Sequence, residues 1–146
     1  MTARGNRPAP FMLHAGTLPA ERLRVVAFRG RESLSAPFRW DITFSVPAAD
    51  GGSIEESLLG QPACLEIRAG EVSRAVHGIV SRMSSGGAAA VDRQSFTMRL
   101  VPRVAMLRHR VTSRIFQDMT TPEVVTAVLA EHGVAHRWEL ALRYPI

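Results

Sequence analysis

The longest regular pattern in the chain is an alternation. Over "FRWDITFSV" (38–46), Phe38, Trp40, Ile42, Phe44 and Val46 occupy one side of a period of two and Arg39, Asp41, Thr43 and Ser45 the other. This predicts a strand with one dry face and one wet face. The same alternation recurs in Ala63, Leu65 and Ile67, in Phe96, Met98 and Leu100, and in Trp138, Leu140 and Leu142. "LRVVAF" (23–28) and "SRAVHGIVSRM" (73–83) are rich in β-branched residues and add two more strands. Between the strands lie runs with turn chemistry, "RGRESLSAP" (29–37), "PAADGGS" (47–53) and "SSGGAAA" (84–90), which favour antiparallel hairpins over βαβ crossovers. Six strands with two helical insertions imply a mainly β fold with minor α, an antiparallel barrel that is closed or nearly so, since closure removes exposed sheet edges.

The helical insertions carry their own punctuation. In "SIEESLLG" (53–60), Ser53 can cap, Glu55 and Glu56 complement the positive helix end, and Gly60 stops the helix. A second helix is predicted over about 121–132. Thr121 can cap it with Pro122 in its first position, or Thr120 and Glu123 can form a capping box instead. Val125, Val128 and Leu129, extended by Val124, make an apolar stripe to lay on the sheet, and Gly133 ends the helix. "SRIFQD" (113–118) alternates as a strand running into that helix. Residues 1–17 carry Pro, Gly and Arg without periodicity and read as a loose arm, leaving one domain over 18–146.

Composition narrows the class. The chain has 146 residues, 46% hydrophobic and 21% charged, as in a soluble globular domain. No apolar run approaches the roughly 20 residues of a membrane span, and Pro10, His14 and Gly16 interrupt the N-terminal stretch too often for a signal peptide. All 18 basic residues are Arg, against 13 acidic ones, for a formal charge of +5. Arg93, Arg99, Arg103, Arg108, Arg110 and Arg114 follow one another with no acidic residue among them. The first five are a candidate partner face for an acidic protein or nucleic acid, although solvated outward positions on strands are the favoured explanation. Cys64 has no second cysteine to pair with and reads as a small core residue.

Catalytic chemistry finds no support in the pattern. His132 and His136 have the spacing of helical metal ligands, but Gly133 between them breaks the helix that would aim both rings together. His14, His77 and His109 are isolated, and Glu55 with Glu56 is explained by its place in a first helical turn. No G-x-S-x-G, G-x-G-x-x-G or Walker loop occurs. The reading is therefore no enzyme, no catalytic residue, no cofactor and no metal. A nucleic-acid-binding barrel would stack bases on outward aromatics, whereas Phe38, Trp40, Phe44, Phe96 and Trp138 all fall on the apolar side of their alternations. That disfavours a nucleic-acid partner but leaves a basic groove as a source of salt-sensitive affinity.

Four segments in order, "LRVVAFRGRESLSAPFRWDITF", "LLGQPACLEI", "HGIVSRM" and "RLVPRVAMLRHRVTSRIFQDMTTPEVVTAVLAEHG", resemble the valine-glycine repeat protein G (VgrG, or Rhs/Vgr) family of type VI secretion spikes. The resemblance covers about 18 to 146, and "SRIFQD" before a capped helix is its most specific piece. It implies an antiparallel β-barrel of the phage tail hub type. In such proteins three chains form a ring on the tube of haemolysin-coregulated protein (Hcp), and a β-helical needle follows in the same chain. The resemblance further implies a cytoplasmic protein, ejected by the type VI apparatus without a signal peptide, that carries effector or adaptor proteins. It implies no small-molecule substrate, and it meets the target membrane only through the needle part. Arg114, Ile115, Phe116, Gln117 and Asp118, with Pro122 and Gly133, are the implied family signature, with a structural role. The family continues where this chain stops at Ile146, so the expectation is the N-terminal hub part, an incomplete domain truncated at its C-terminal side. Two alternatives stand beside it: a hub-like baseplate protein of a prophage or other contractile tail, and a basic nucleic-acid-binding β-barrel.

Overall fold

A computed structural model describes residues 10–140. Its elements are β1 (Phe11–Ala15), β2 (Arg24–Ser33), β3 (Ala36–Pro47), α1 (Ile54–Leu58), β4 (Pro62–Ala69), β5 (Val72–Ala90), β6 (Arg93–Val101) and α2 (Thr121–Glu131). The chain divides into two compact units, Met1–Pro102 and Arg103–Ile146; a single domain over 18–146 had been expected.

The first unit is one antiparallel sheet in the order β1-β4-β5-β6-β3-β2. The sheet curls until its edge strands approach. Phe11 of β1 meets Phe28 of β2 edge-on, ring centroids 5.0 Å apart. Beside this contact Arg74 of β5 reaches Glu32 of β2, which also accepts the Trp40 indole N–H at 3.1 Å. The Arg74 guanidinium lies 5.4 Å over the Trp40 ring, a cation–π contact that ties β5 to β3 as well. The result is the mainly β architecture expected, in the form of an open barrel closed by side chains.

The alternation decides what fills it. Leu13, Ile42, Phe44, Val46, Leu65, Val80, Phe96, Met98 and Leu100 are almost wholly inside, and α1 adds Ile54 and Leu58 to the same core. The outward positions pair across strands, as Thr43 does with Thr97 at 3.2 Å and Asp41 with Arg99 at 2.7 Å. The three hairpins turn in two residues each, at 34–35, 70–71 and 91–92. Gly70, with φ +63°, supplies the left-handed first position of the second turn.

Several expectations need correction. The arm expected over 1–17 contains a strand, because Phe11–Ala15 pairs with β4 and buries Leu13 and Ala15. "SSGGAAA" is the end of β5 and no connector. Its glycines serve close packing and a bulge: a Cβ on Gly86 would stand 3.1 Å from the Ser95 hydroxyl, and Gly87 has φ +81° beside a register shift. Most of "RGRESLSAP" is likewise strand. Ser53 precedes α1 without a capping bond; the chain enters that helix from a 3-10 stretch, Ala48–Ser53, in which Arg22 holds Asp50 at 2.8 Å.

The second unit holds a 3-10 stretch, Arg103–His109, then α2 between two stretches without regular secondary structure. Neither "SRIFQD" nor 134–140 is a strand, and Leu142 lies outside the described residues. Both stretches have the right side-chain alternation, but a strand also needs a neighbour for its N–H and C=O groups, and none is present among the described residues.

Candidate partner surface

The sequence offered two residue groups, the signature around 114–118 and the arginines from 93 to 110, and the fold divides the second group, leaving Arg93 and Arg99 in the sheet and Arg103, Arg108 and Arg110 in the unit that holds the signature. Arg93 is half-buried and lies against its own sheet. Its Nε donates to the Ser45 hydroxyl at 2.9 Å, and its Nη2 donates to the carbonyl oxygens of Ser45 at 2.6 Å and Arg22 at 3.0 Å. Arg99 is committed to Asp41, which Arg39 also approaches at 3.7 Å. Both belong to the barrel's own bonding. Arg103, Arg108 and Arg110 lie in the second unit, are exposed, and have no salt-bridge partner among the described residues. Of the five arginines, Arg93 and Arg99 thus bond within the sheet.

The signature organises the second unit. Arg114 forks onto both carboxylate oxygens of Glu131, near the end of α2, with Nη2 to Oε1 at 2.7 Å, the two-pronged geometry that favours arginine over lysine. That ion pair, helped by His132 and Arg110, holds the Glu131 carboxyl below the usual glutamate range. Thr112, Arg114 and Phe116 line a cavity of about 260 Å³ together with Leu107, Arg110, Val128 and His132. The odd positions face away: Val111 is 97% and Ile115 87% exposed. Asp118 takes the left-handed conformation, φ +53°, which an aspartate tolerates better than most residues. It turns the chain toward the helix.

The α2 boundaries are set by local chemistry. Thr120 is the N-cap, so the capping-box register holds and Thr121 becomes the first helical residue with Pro122 after it. The Thr120 backbone N–H and hydroxyl both donate to Glu123 Oε2, at 2.7 and 2.8 Å, which holds the Glu123 carboxyl below its ordinary value. At the other end Gly133 has φ +62°, its N–H bonds to the Ala130 carbonyl, and the Val134 N–H bonds to the Leu129 carbonyl. These two bonds are the Schellman closure that a left-handed glycine permits. Residues after it fold back on the helix. The Trp138 indole N–H donates to the Thr126 hydroxyl at 2.9 Å, and Thr126 lies 3.2 Å from His136 Nε2. His132 lines the cavity and His136 contacts Thr126, so the two rings serve different neighbours; among the described residues no three metal-binding side chains gather.

One group escaped the sequence reading. Cys64 is half-buried on the outward face, between its register partners His14 and His77, with Sγ 3.8 Å from His77 Nε2. It is not a core residue. Burial first, and then the nearby Glu66 carboxylate, push its thiol up, which lowers its reactivity. The one available signal was its even position in β4, between inward Ala63 and Leu65.

Known proteins share this architecture. The phage tail baseplate hub (GPD) family model matches residues 31–146. The type VI secretion system spike protein VgrG4b of Pseudomonas aeruginosa is 35% identical over 126 residues, 84% of this chain and 15% of that protein. Spike protein VgrG3 of Vibrio cholerae is 33% identical over 135 residues, 85% of this chain and 13% of its own length. Among solved structures, the E. coli c3393 protein superposes with a TM-score of 0.70 at 30% identity, covering 82% of this chain and 31% of that one. That protein is described as a type VI secretion component with structural similarity to the T4 bacteriophage tail proteins gp27 and gp5. The chain spans about a sixth of the length of the curated relatives it matches.

Proposed function

The chain belongs to the phage tail baseplate hub family, and on that premise we propose that it is the hub part of a type VI secretion spike. The observation that carries this reading is the coincidence of two independent likenesses over the same stretch: sequence identity to spike proteins across 84% of the chain, and a barrel that superposes on a type VI component with a TM-score of 0.70. In this role the chain assembles as a homotrimer, docks on the Hcp tube and leaves the cell with the spike and its effectors. Its work is mechanical. The chain supplies a rigid curled sheet with interior aromatics, and its polar surface is spent on cross-strand pairs. No helix among the described residues is long and apolar enough to cross a membrane.

The family is named for phage hubs, so a prophage or other contractile tail is the second reading. The two differ in tube protein and in fate. In source cells with an intact type VI apparatus, the protein is expected in the culture supernatant and absent from it when the apparatus cannot contract. Release that ignores the apparatus and follows prophage induction would transfer the protein to the second reading. A nucleic-acid role is disfavoured by the burial of Trp40, Phe44 and Phe96 in the barrel, which leaves those rings unable to stack on bases.

A further inference from the structure

We propose that His14, Cys64 and His77 form a binding site for a thiophilic divalent cation of the zinc class, with Glu66 positioning His14. The site is independent of the hub role. Strand register brings the three residues together. His14 of β1 stands opposite Cys64 of β4, and Cys64 stands opposite His77 of β5. All three occupy outward positions, because Leu13, Ala15, Ala63, Leu65 and Val76 beside them in their strands are buried. Side chains directly opposite on one face of antiparallel strands have Cβ atoms about 4.5–5.5 Å apart, so two imidazoles flank one thiol in a row across three strands. The row opens onto a cavity of about 210 Å³, which small neighbours such as Gly16 and Gly78 also line.

The contacts already made prepare the site. Cys64 Sγ lies 3.8 Å from His77 Nε2, and His14 Nε2 lies 3.3 Å from Glu66 Oε1. The four groups thus stand two and two, with no three meeting at one point, and convergence on a cation needs their side chains to rotate while the register stays fixed. Arg68 donates to the other Glu66 oxygen at 2.8 Å and holds the Glu66 carboxyl below the usual glutamate range. A carboxylate bonded to one ring nitrogen orients an imidazole whose other nitrogen is free to ligate. One thiolate with two imidazoles selects zinc-like cations over magnesium or calcium, which prefer oxygen, and leaves a fourth position for water. Burial and Glu66 keep the free thiol protonated. On binding, the S–H bond breaks, a sulfur–metal bond forms and the proton passes to solvent.

The test uses the whole chain, stripped with a chelator and titrated with Co²⁺ and then Zn²⁺. Cys64 is the sole cysteine, so a cobalt–thiolate charge-transfer band can come from no other residue. The band is expected to saturate at one Co²⁺ per chain, to appear with release of a proton, and to vanish when Zn²⁺ displaces the cobalt, while Mg²⁺ and Ca²⁺ leave it unchanged. His14→Ala and His77→Ala are each expected to weaken binding by about tenfold or more, and Glu66→Gln by about tenfold, whereas His132→Ala is expected to leave it as it was. Zn²⁺ is also expected to slow alkylation of Cys64 by iodoacetamide, a readout that needs no variant. An absent band, a band unaffected by either histidine variant, or one cation shared by two chains would overturn the proposal. Alkylation that proceeds equally fast with Zn²⁺ present would overturn it as well.

Discussion

Gly30 has room for hydrogen and little else, since a methyl group there would stand 2.5 Å from the Trp40 ring. Trp40 in turn is fixed by Phe28 at 5.7 Å, by the Glu32 carboxylate and by the Arg74 guanidinium, so it has nowhere to retreat. Gly30→Ala is therefore expected to destabilise the barrel by about 1–3 kcal/mol, the usual cost of overpacking, measured as a lower midpoint in urea. The sequence showed Trp40 as an inward residue through its period of two, but not which backbone it leans on, because that neighbour comes from another strand. Arg93 makes the same point in reverse. Its place in an arginine series suggested a surface cation, whereas its bonds to Ser45 and Arg22 cross three elements and leave no trace in local spacing.

Among the elements, α2 was the most legible because its limits depend on neighbours in sequence. Two capping registers were open from the pattern, and the reach of Glu123 back to Thr120 selects one. Thr120→Ala is accordingly expected to cost about 1 kcal/mol and Thr121→Ala less than about 0.5 kcal/mol, compared by thermal melts followed at the helical band. The same contact sets a pH dependence. Its folded-state pKa lies below the unfolded one, so Glu123 contributes stability that is whole above the ordinary glutamate range and is lost as pH falls through the depressed value. Acid titration of Glu123→Gln against the parent is expected to converge at low pH and diverge at neutral pH. Strands were less legible. Periodicity named the inward face of β3, β4 and β6 correctly, yet it also named 113–118 and the described residues 138–140 as strand, since alternation records which faces would be wet and says nothing of whether a partner strand exists. The glycines and alanines of 84–90 misled in the other direction, their small size serving close packing in β5 where composition suggested a turn.

For the whole molecule, the barrel class was readable and its membership was not entirely so. Six strands were expected and six form the sheet, but β1 takes the place assigned to the stretch around Trp138. A short edge strand such as Phe11–Ala15, flanked by Pro and Gly, has too few residues to declare a period. The division at Pro102 was also hidden, because the arginine-rich stretch that follows continues the composition of β6. Limited trypsin digestion should expose it. The first cuts are expected within Arg103–Arg114 and at Arg137, where the backbone is outside any ladder, leaving the sheet residues as the resistant product. Early cuts at Arg39, Arg93 or Arg99 would mean that the barrel opens as readily as the second unit.

The central claim is that this barrel is a spike hub seated on the type VI tube, and sedimentation of the purified protein with Hcp rings tests it most directly, with rings of a phage tail-tube protein run in parallel. The expected result is a faster-sedimenting complex with Hcp and none with the tail-tube rings. A complex with the tail-tube rings alone would contradict the claim and place the protein in a phage-derived tail, and the absence of any complex at concentrations that saturate a full-length spike would contradict its role as the docking part.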